Sequence, residues 1–210
     1  MAKQGIFITF EGGEGAGKTT LIQQLAQQIT SEGFNVLKAR EPGGTNLGEQ
    51  IRSILLEHKG PVSPYSEMCL FLASRAQHIL EVIGPALEGG MVVLCDRFND
   101  SSIAYQGAAR GLGMEKVADF CEFISQGLRP NLTIYLDLDP ELGLSRAAKA
   151  RAQDRIEAET VMFHRKIRDA YLSIHRADQH RFRLIDATLP PDRVFKEAMK
   201  LIQPLLAEHV

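Results

Sequence analysis

Apolar runs and stripes at helical spacing alternate along the chain. "GIFITF" reads as a short buried strand ending at Phe10. The next segment carries Leu21, Ile22, Leu25, Ala26 and Ile29, a helical stripe running out of a glycine-rich loop. "FNVLKA" is a second strand, and "REPGGTN" after it is loop chemistry. Leu47, Ile51, Ile54 and Leu55 mark another helix, and Tyr65 to Val82 a longer one through Met68, Phe71, Leu72 and Ile79. "MVVLCDRF" is almost continuously apolar before it ends in charge, as a strand inside a parallel sheet should be. Met114 to Ser125 is helical, "LTIYLDLD" is the fourth strand, and Pro140 suits the first turn of the helix that follows. "RFRLIDA" is the fifth strand, and the last helix starts after Pro190 and Pro191. The alternation predicts one α/β domain over residues 1–210, with a five-stranded parallel sheet flanked by helices and ligands at the C-terminal strand ends.

One stretch breaks this pattern. "SRAAKARAQDRIEAE" is rich in arginine and poor in large apolar residues, so it is either a solvated helix face or a mobile segment that comes down over phosphates. On charge content alone the solvated face is favoured.

Composition narrows the classes. With 210 residues, 44% hydrophobic and 24% charged, the chain has the make-up of an ordinary globular domain. A net charge of −2 gives no global attraction to nucleic acid or anionic lipid, and neither is expected as a partner. The opening "MAKQGIFITF" has too short an apolar run for a secretory signal, and no run approaches the roughly 18 apolar residues of a membrane span. Cys69, Cys95 and Cys121 lack metal-type spacing and read as small buried hydrophobes in a reducing compartment. A cytoplasmic location is expected.

The glycine-rich loop supplies the chemistry. Gly12, Gly17, Lys18 and Thr19 satisfy G-x-x-x-x-G-K-[ST] between a strand and a helix, which is the phosphate-binding loop of P-loop proteins. Backbone N–H groups from Gly12 through Gly13, Glu14, Gly15, Ala16 and Gly17 to Lys18, Thr19 and Thr20 would cradle the phosphates of ATP. Lys18 would span the β- and γ-phosphates, and the Thr19 hydroxyl would ligate Mg²⁺. The third strand ends in Asp96-Arg97 rather than the Asp-Glu of ATPase motors. The chain also lacks the Asn-Lys-x-Asp and Asp-x-x-Gly signatures of a GTPase. What remains is a small kinase, with a second anion-binding pocket and a lid that excludes water. Asp96 could hold the metal through water, and Arg97 could clamp an acceptor phosphate as a fork.

Six blocks then carry a resemblance: "FEGGEGAGKTT", "REPGGT", "LFLASRAQH", "DRFNDSSIAYQGAARG", "RPNLTIYLDLDP" and "DRIE". In order and spacing the chain resembles the bacterial thymidylate kinases from its first strand to its fifth. The resemblance implies a P-loop NTPase fold with a short lid at about 146–157, transfer of the γ-phosphate of MgATP to dTMP giving dTDP, and a homodimer. By position, Phe71 would stack on thymine and Arg75 would donate to its O4; their four-residue spacing puts both on one helix face. Ser102 and Gln106 would line the base edge near N3, and Tyr105 would lie beneath the deoxyribose. Arg52 and Arg97 would grip the dTMP phosphate.

The resemblance turns the arginine-rich stretch into the lid. Where some relatives carry a P-loop arginine, this chain has Gly15, so the transition-state charge must be met from the lid. Arg146, Arg151 and Arg155 are available there, with Arg151 the first choice and Arg155 the second. Glu14 poses the remaining question, because a carboxylate among phosphates would repel them. Its side chain should therefore turn toward the acceptor, where it can bond the 3′-hydroxyl of dTMP or a metal-bound water and orient Arg97. Another P-loop kinase, a deoxynucleoside kinase and a non-catalytic nucleotide switch are the competing readings. The first should lack the Phe71/Arg75 and Ser102/Tyr105/Gln106 sets, the second needs a carboxylate base, and the third has little use for an arginine-rich lid.

Overall fold

The computed structural model describes residues 5–150 and 154–209. Its five strands are β1 (Ile6–Gly12), β2 (Val36–Arg40), β3 (Val92–Asp96), β4 (Leu132–Asp137) and β5 (Phe182–Asp186). All pair in parallel, in the order β2-β3-β1-β4-β5. The central strand β1 is buried along its whole length, which a run such as Ile6-Phe7-Ile8 requires. It runs two residues past Phe10, because Glu11 and Gly12 still pair with Tyr135 and Leu136 of β4.

The strand period of two divides the core. Ile6, Ile8 and Phe10 face α1 (Lys18–Ser31) and α9 (Pro191–His209), where Leu25, Ile29, Ala198 and Ile202 complete the layer. Phe7, on the opposite face, packs with Ile83, Leu87, Val93 and Phe98. α2 (Asn46–Glu57) starts from a Thr45 cap whose side chain accepts from the Gly48 N–H. α3 (Pro64–His78) does not continue smoothly to Val82 as predicted. It widens into a π segment at Ile79–Ile83 before α4 (Gly84–Glu88), because Pro85 has no N–H to continue the regular ladder.

The stretch after β3 is helical, with α5 (Asn99–Ser102) leading into a second π segment, Ile103–Ala109. α6 (Met114–Ser125) matches its predicted bounds, and α7 (Pro140–Ala150) begins at its proline. α8 (Val161–Ala177) is not among the predicted elements. Its apolar face, Phe163, Ile167, Ala170 and Tyr171, packs on Tyr135 and Phe182. The Thr160 side chain caps it by accepting from the Phe163 N–H at 3.2 Å.

Candidate active site

A cleft of about 540 Å³ opens at the C-terminal ends of β1, β2 and β3. The loop from Gly12 to Gly17 forms one wall and leads into α1 with no side-chain cap and no acidic residue in the first turn. Its free N–H groups and the helix dipole are therefore left for an anion. Lys18 is buried and donates from Nζ to the carbonyls of Gly12 and Gly13 at 3.1 and 3.2 Å, which holds the loop in shape. Burial, then the charge of Arg97, pushes its ammonium below the usual value, and a bound polyphosphate would reverse that. Gly15 has φ +66°, and a Cβ there would overlap the carbonyl oxygen of Gly143 in α7. A larger residue fits neither the backbone nor the space, so any positive charge over the phosphates has to come from elsewhere.

Glu14 leaves the cradle. Its Oε1 accepts from Arg97 Nη2 at 2.6 Å and from the Tyr105 hydroxyl at 3.2 Å. Burial pushes its carboxyl up, but the charges of Arg97 and Lys18 and the bond from Tyr105 outweigh it and hold the group down at about 2. The Arg97 guanidinium lies 5.0 Å from the centre of the Tyr105 ring and also donates to Ser101 Oγ at 3.3 Å. Arg97 has φ +72°, a conformation costing a non-glycine residue about 1–3 kcal/mol. It is held by its own N–H on Phe10 O at 3.0 Å and by the Phe98 N–H on Glu11 Oε1 at 2.8 Å. Glu11 is fully buried and also accepts from Ser101 at 2.5 Å and Tyr171 at 2.8 Å. Burial and the nearby charge of Asp100 raise its carboxyl to about 7.

Asp96 closes the floor between loop and arginine. Its Oδ2 accepts from Thr19 Oγ1 at 3.4 Å, while Oδ1 is buried with no partner among the described residues. A hydroxyl beside an orphaned carboxylate oxygen is a donor set that suits a hard divalent cation.

The far end of the cleft is lined by Arg52, Leu56, Phe71, Ser102, Tyr105 and Gln106. Arg52 donates to Pro42 O at 2.9 Å. Arg75 lies one layer behind, 1% exposed, and donates from Nε to Glu41 at 2.7 Å, from Nη1 to Ser102 Oγ at 3.0 Å and from Nη2 to Phe98 O at 3.0 Å. It touches the cleft through Ser102 and is not itself part of the lining. Arg146, Ala147, Asp154, Ile156 and Glu157 close the top, with Arg146 donating to Ala187 O at 3.3 Å. Arg155 turns away from the cleft and donates to Leu55 O and Glu67 Oε2, each at 2.8 Å. Arg151 lies outside the described residues.

Glu11 and Glu67 escape the sequence reading. Both carboxylates are buried, Glu11 just past the predicted end of the first strand and Glu67 on the inward face of α3. Glu67 sits one turn before Phe71, so extending the Phe71/Arg75 spacing backwards would have found it.

The family model described as thymidylate kinase matches residues 10–198. A thymidylate kinase of Protochlamydia amoebophila is 48% identical over 95% of this chain and 93% of its own length. One from Deinococcus radiodurans is 47% identical over 92% and 94%. The crystal structure of thymidylate kinase from Ehrlichia chaffeensis superposes with a TM-score of 0.79 at 31% identity, covering 95% of this chain and 99% of that one. On the matched length, the shared fold and these identities, the chain belongs to the thymidylate kinase family, whose members phosphorylate dTMP to dTDP.

Proposed function

We propose that the phosphoryl group passed to dTMP comes from ATP held on the glycine loop, where Thr19 and Asp96 would hold Mg²⁺. The observation that carries this reading is the Glu14–Arg97 pair, which stands where the loop ends and the nucleoside pocket begins. ATP lies along Gly12–Thr20 with Lys18 on its terminal phosphates. dTMP lies opposite, its base against Phe71 with Ser102 and Gln106 at its edge, and its sugar over Tyr105. Arg75 acts on the base edge from behind Ser102. Arg52 and Arg97 hold the acceptor phosphate, which already carries an anionic oxygen and needs no general base. Bound Mg²⁺ would neutralise charge on the donor phosphates.

Catalysis is then a matter of placement and of cations set against developing charge. Arg97 stays in place because Glu14 and Ser101 hold its fork. A lid arginine meets the charge on the transferred group. Arg151 is assigned that role, Arg146 already borders the cleft, and Arg155 anchors the lid through Glu67.

The reading includes a homodimer. Leu47 and Ile54 of α2, Tyr65 of α3 and Phe120 and Phe123 of α6 are exposed, and α3 packs between α2 and α6. Three adjacent helices thus present apolar side chains that a second copy would cover. Three free thiols suit a cytoplasmic location, and no helix among the described residues is long and apolar enough to cross a membrane.

The test of the reaction is product identity. ATP, Mg²⁺ and dTMP should give ADP and dTDP in equal amounts. Release of inorganic phosphate without dTDP would contradict it.

A further inference from the structure

Glu67 is 1% exposed on α3, and each of its oxygens accepts two hydrogen bonds. Oε1 accepts from Gln106 Nε2 at 2.9 Å and from Arg110 Nε at 3.1 Å. Oε2 accepts from Arg110 Nη2 at 3.1 Å and from Arg155 Nη2 at 2.8 Å. One buried carboxylate therefore joins α3, the π segment that carries Gln106, the turn after it and the lid. Burial alone would raise its carboxyl, but the bonds from Arg110, Gln106 and Arg155 outweigh it and keep the group ionised. An ionised carboxylate only accepts. The Gln106 amide must therefore present its NH₂ to Glu67, which leaves the carbonyl oxygen on the other side. Gln106 lines the cleft, and its carbonyl accepts from no donor among the described residues.

We infer that Glu67 is a positioning residue for base selection, which fixes the Gln106 amide so that its carbonyl oxygen meets the base and ties that orientation to the docked lid through Arg155. The inference rests on the cleft being the dTMP pocket. Thymine offers a ring N–H at N3, which a carbonyl oxygen accepts. Cytosine offers a lone pair there, which the same oxygen repels and a flipped amide would welcome. In the wild-type protein a flip sets an amide oxygen against a carboxylate and forfeits a bond to a charged group. Selectivity at N3 is thereby placed on a residue that never touches the substrate.

The test compares kcat/KM for dTMP and 5-methyl-dCMP, which share the methyl group and the sugar. Glu67→Gln supplies an amide that can donate to Gln106, so the dTMP preference should narrow about tenfold or more. Gln106→Ala should narrow it to a similar degree, and the double variant should show little beyond Gln106→Ala alone. Retained ATP binding shows that the variants are folded. An equal loss for both monophosphates in Glu67→Gln would make Glu67 a packing residue and overturn the inference. Should that variant not fold, the side-chain amide resonances of Gln106 in the unmutated protein decide the matter. They should exchange slowly with water and scarcely shift when dTMP binds, whereas a large shift would place the nitrogen on the base. A wild-type protein with no preference for dTMP would instead remove the reading of the cleft, leaving the same resonances to report on Glu67.

Discussion

Replacing Glu14 by Gln keeps the shape of the side chain and deletes its charge. In the structure that charge faces out of the glycine loop, 2.6 Å from Arg97 Nη2 and 3.2 Å from the Tyr105 hydroxyl. A hydrogen bond to a charged group is worth about 1.5–3 kcal/mol, or about 10- to 150-fold in an equilibrium or rate ratio. Arg97 pays for its φ of +72° with such contacts, and losing one loosens the fork proposed to hold the dTMP phosphate. Glu14→Gln should therefore lower kcat/KM for dTMP at saturating ATP by at least about tenfold. ATP affinity, measured directly by titration, should hold or rise slightly, because a carboxylate near Lys18 has been removed. A 3′-deoxy analogue of dTMP should lose less than dTMP itself, having no 3′-hydroxyl to miss. Weakened ATP binding with unchanged dTMP kinetics would refute the reasoning, since it would place Glu14 inside the cradle.

Four further outcomes follow from the same geometry. Glu11 is raised from 4.5 to about 7, so the folded state keeps a proton that the unfolded state has released; stability should fall by about 3 kcal/mol as pH rises from 4.5 through 7. Glu11→Gln should lack that component in urea unfolding across this range, and parallel slopes for the two proteins would contradict it. Gly15→Ala sets a Cβ against Gly143 O at a positive φ and should cost about 1–2 kcal/mol and depress kcat through a displaced α7; wild-type melting and turnover would refute the crowding. Asp96→Asn should raise the Mg²⁺ concentration needed for half-maximal rate at fixed ATP, and an unmoved Mg²⁺ titration would remove Asp96 from the metal site. In the proposed dimer, Phe123→Glu should shift the sedimenting species to a monomer, whereas an intact dimer would place the interface on another face.

The parallel sheet was legible because buried strands and striped helices alternate with little ambiguity, and the phosphate loop because glycines, Lys18 and Thr19 leave few other uses. The π segment at Ile79–Ile83 was hidden because its periodicity matches an ordinary helix until Pro85 is considered as a missing donor. α8 was missed because arginine, lysine and histidine interleave with Phe163, Ile167 and Tyr171, although the Thr160 cap marks its start. Within the site, the outward turn of Glu14 was deducible from electrostatics alone. The placement of Arg75 behind Ser102 and of Arg155 on Glu67 was not, because a residue's type does not say which of several buried carboxylates it will reach. Glu41, Glu67 and Glu11 are those carboxylates, and each binds groups far away in sequence. Pairing of that kind is a tertiary property.

The central claim is that one end of the cleft is built for the thymine nucleotide, and a coupled assay of ATP consumption over a panel of nucleoside monophosphates tests it most directly. At matched concentration dTMP should be turned over far better than dCMP, dGMP or dAMP. dUMP should trail by about tens-fold, the worth of one lost methyl contact of about 1–3 kcal/mol. Equal or better turnover of any other monophosphate would contradict the account.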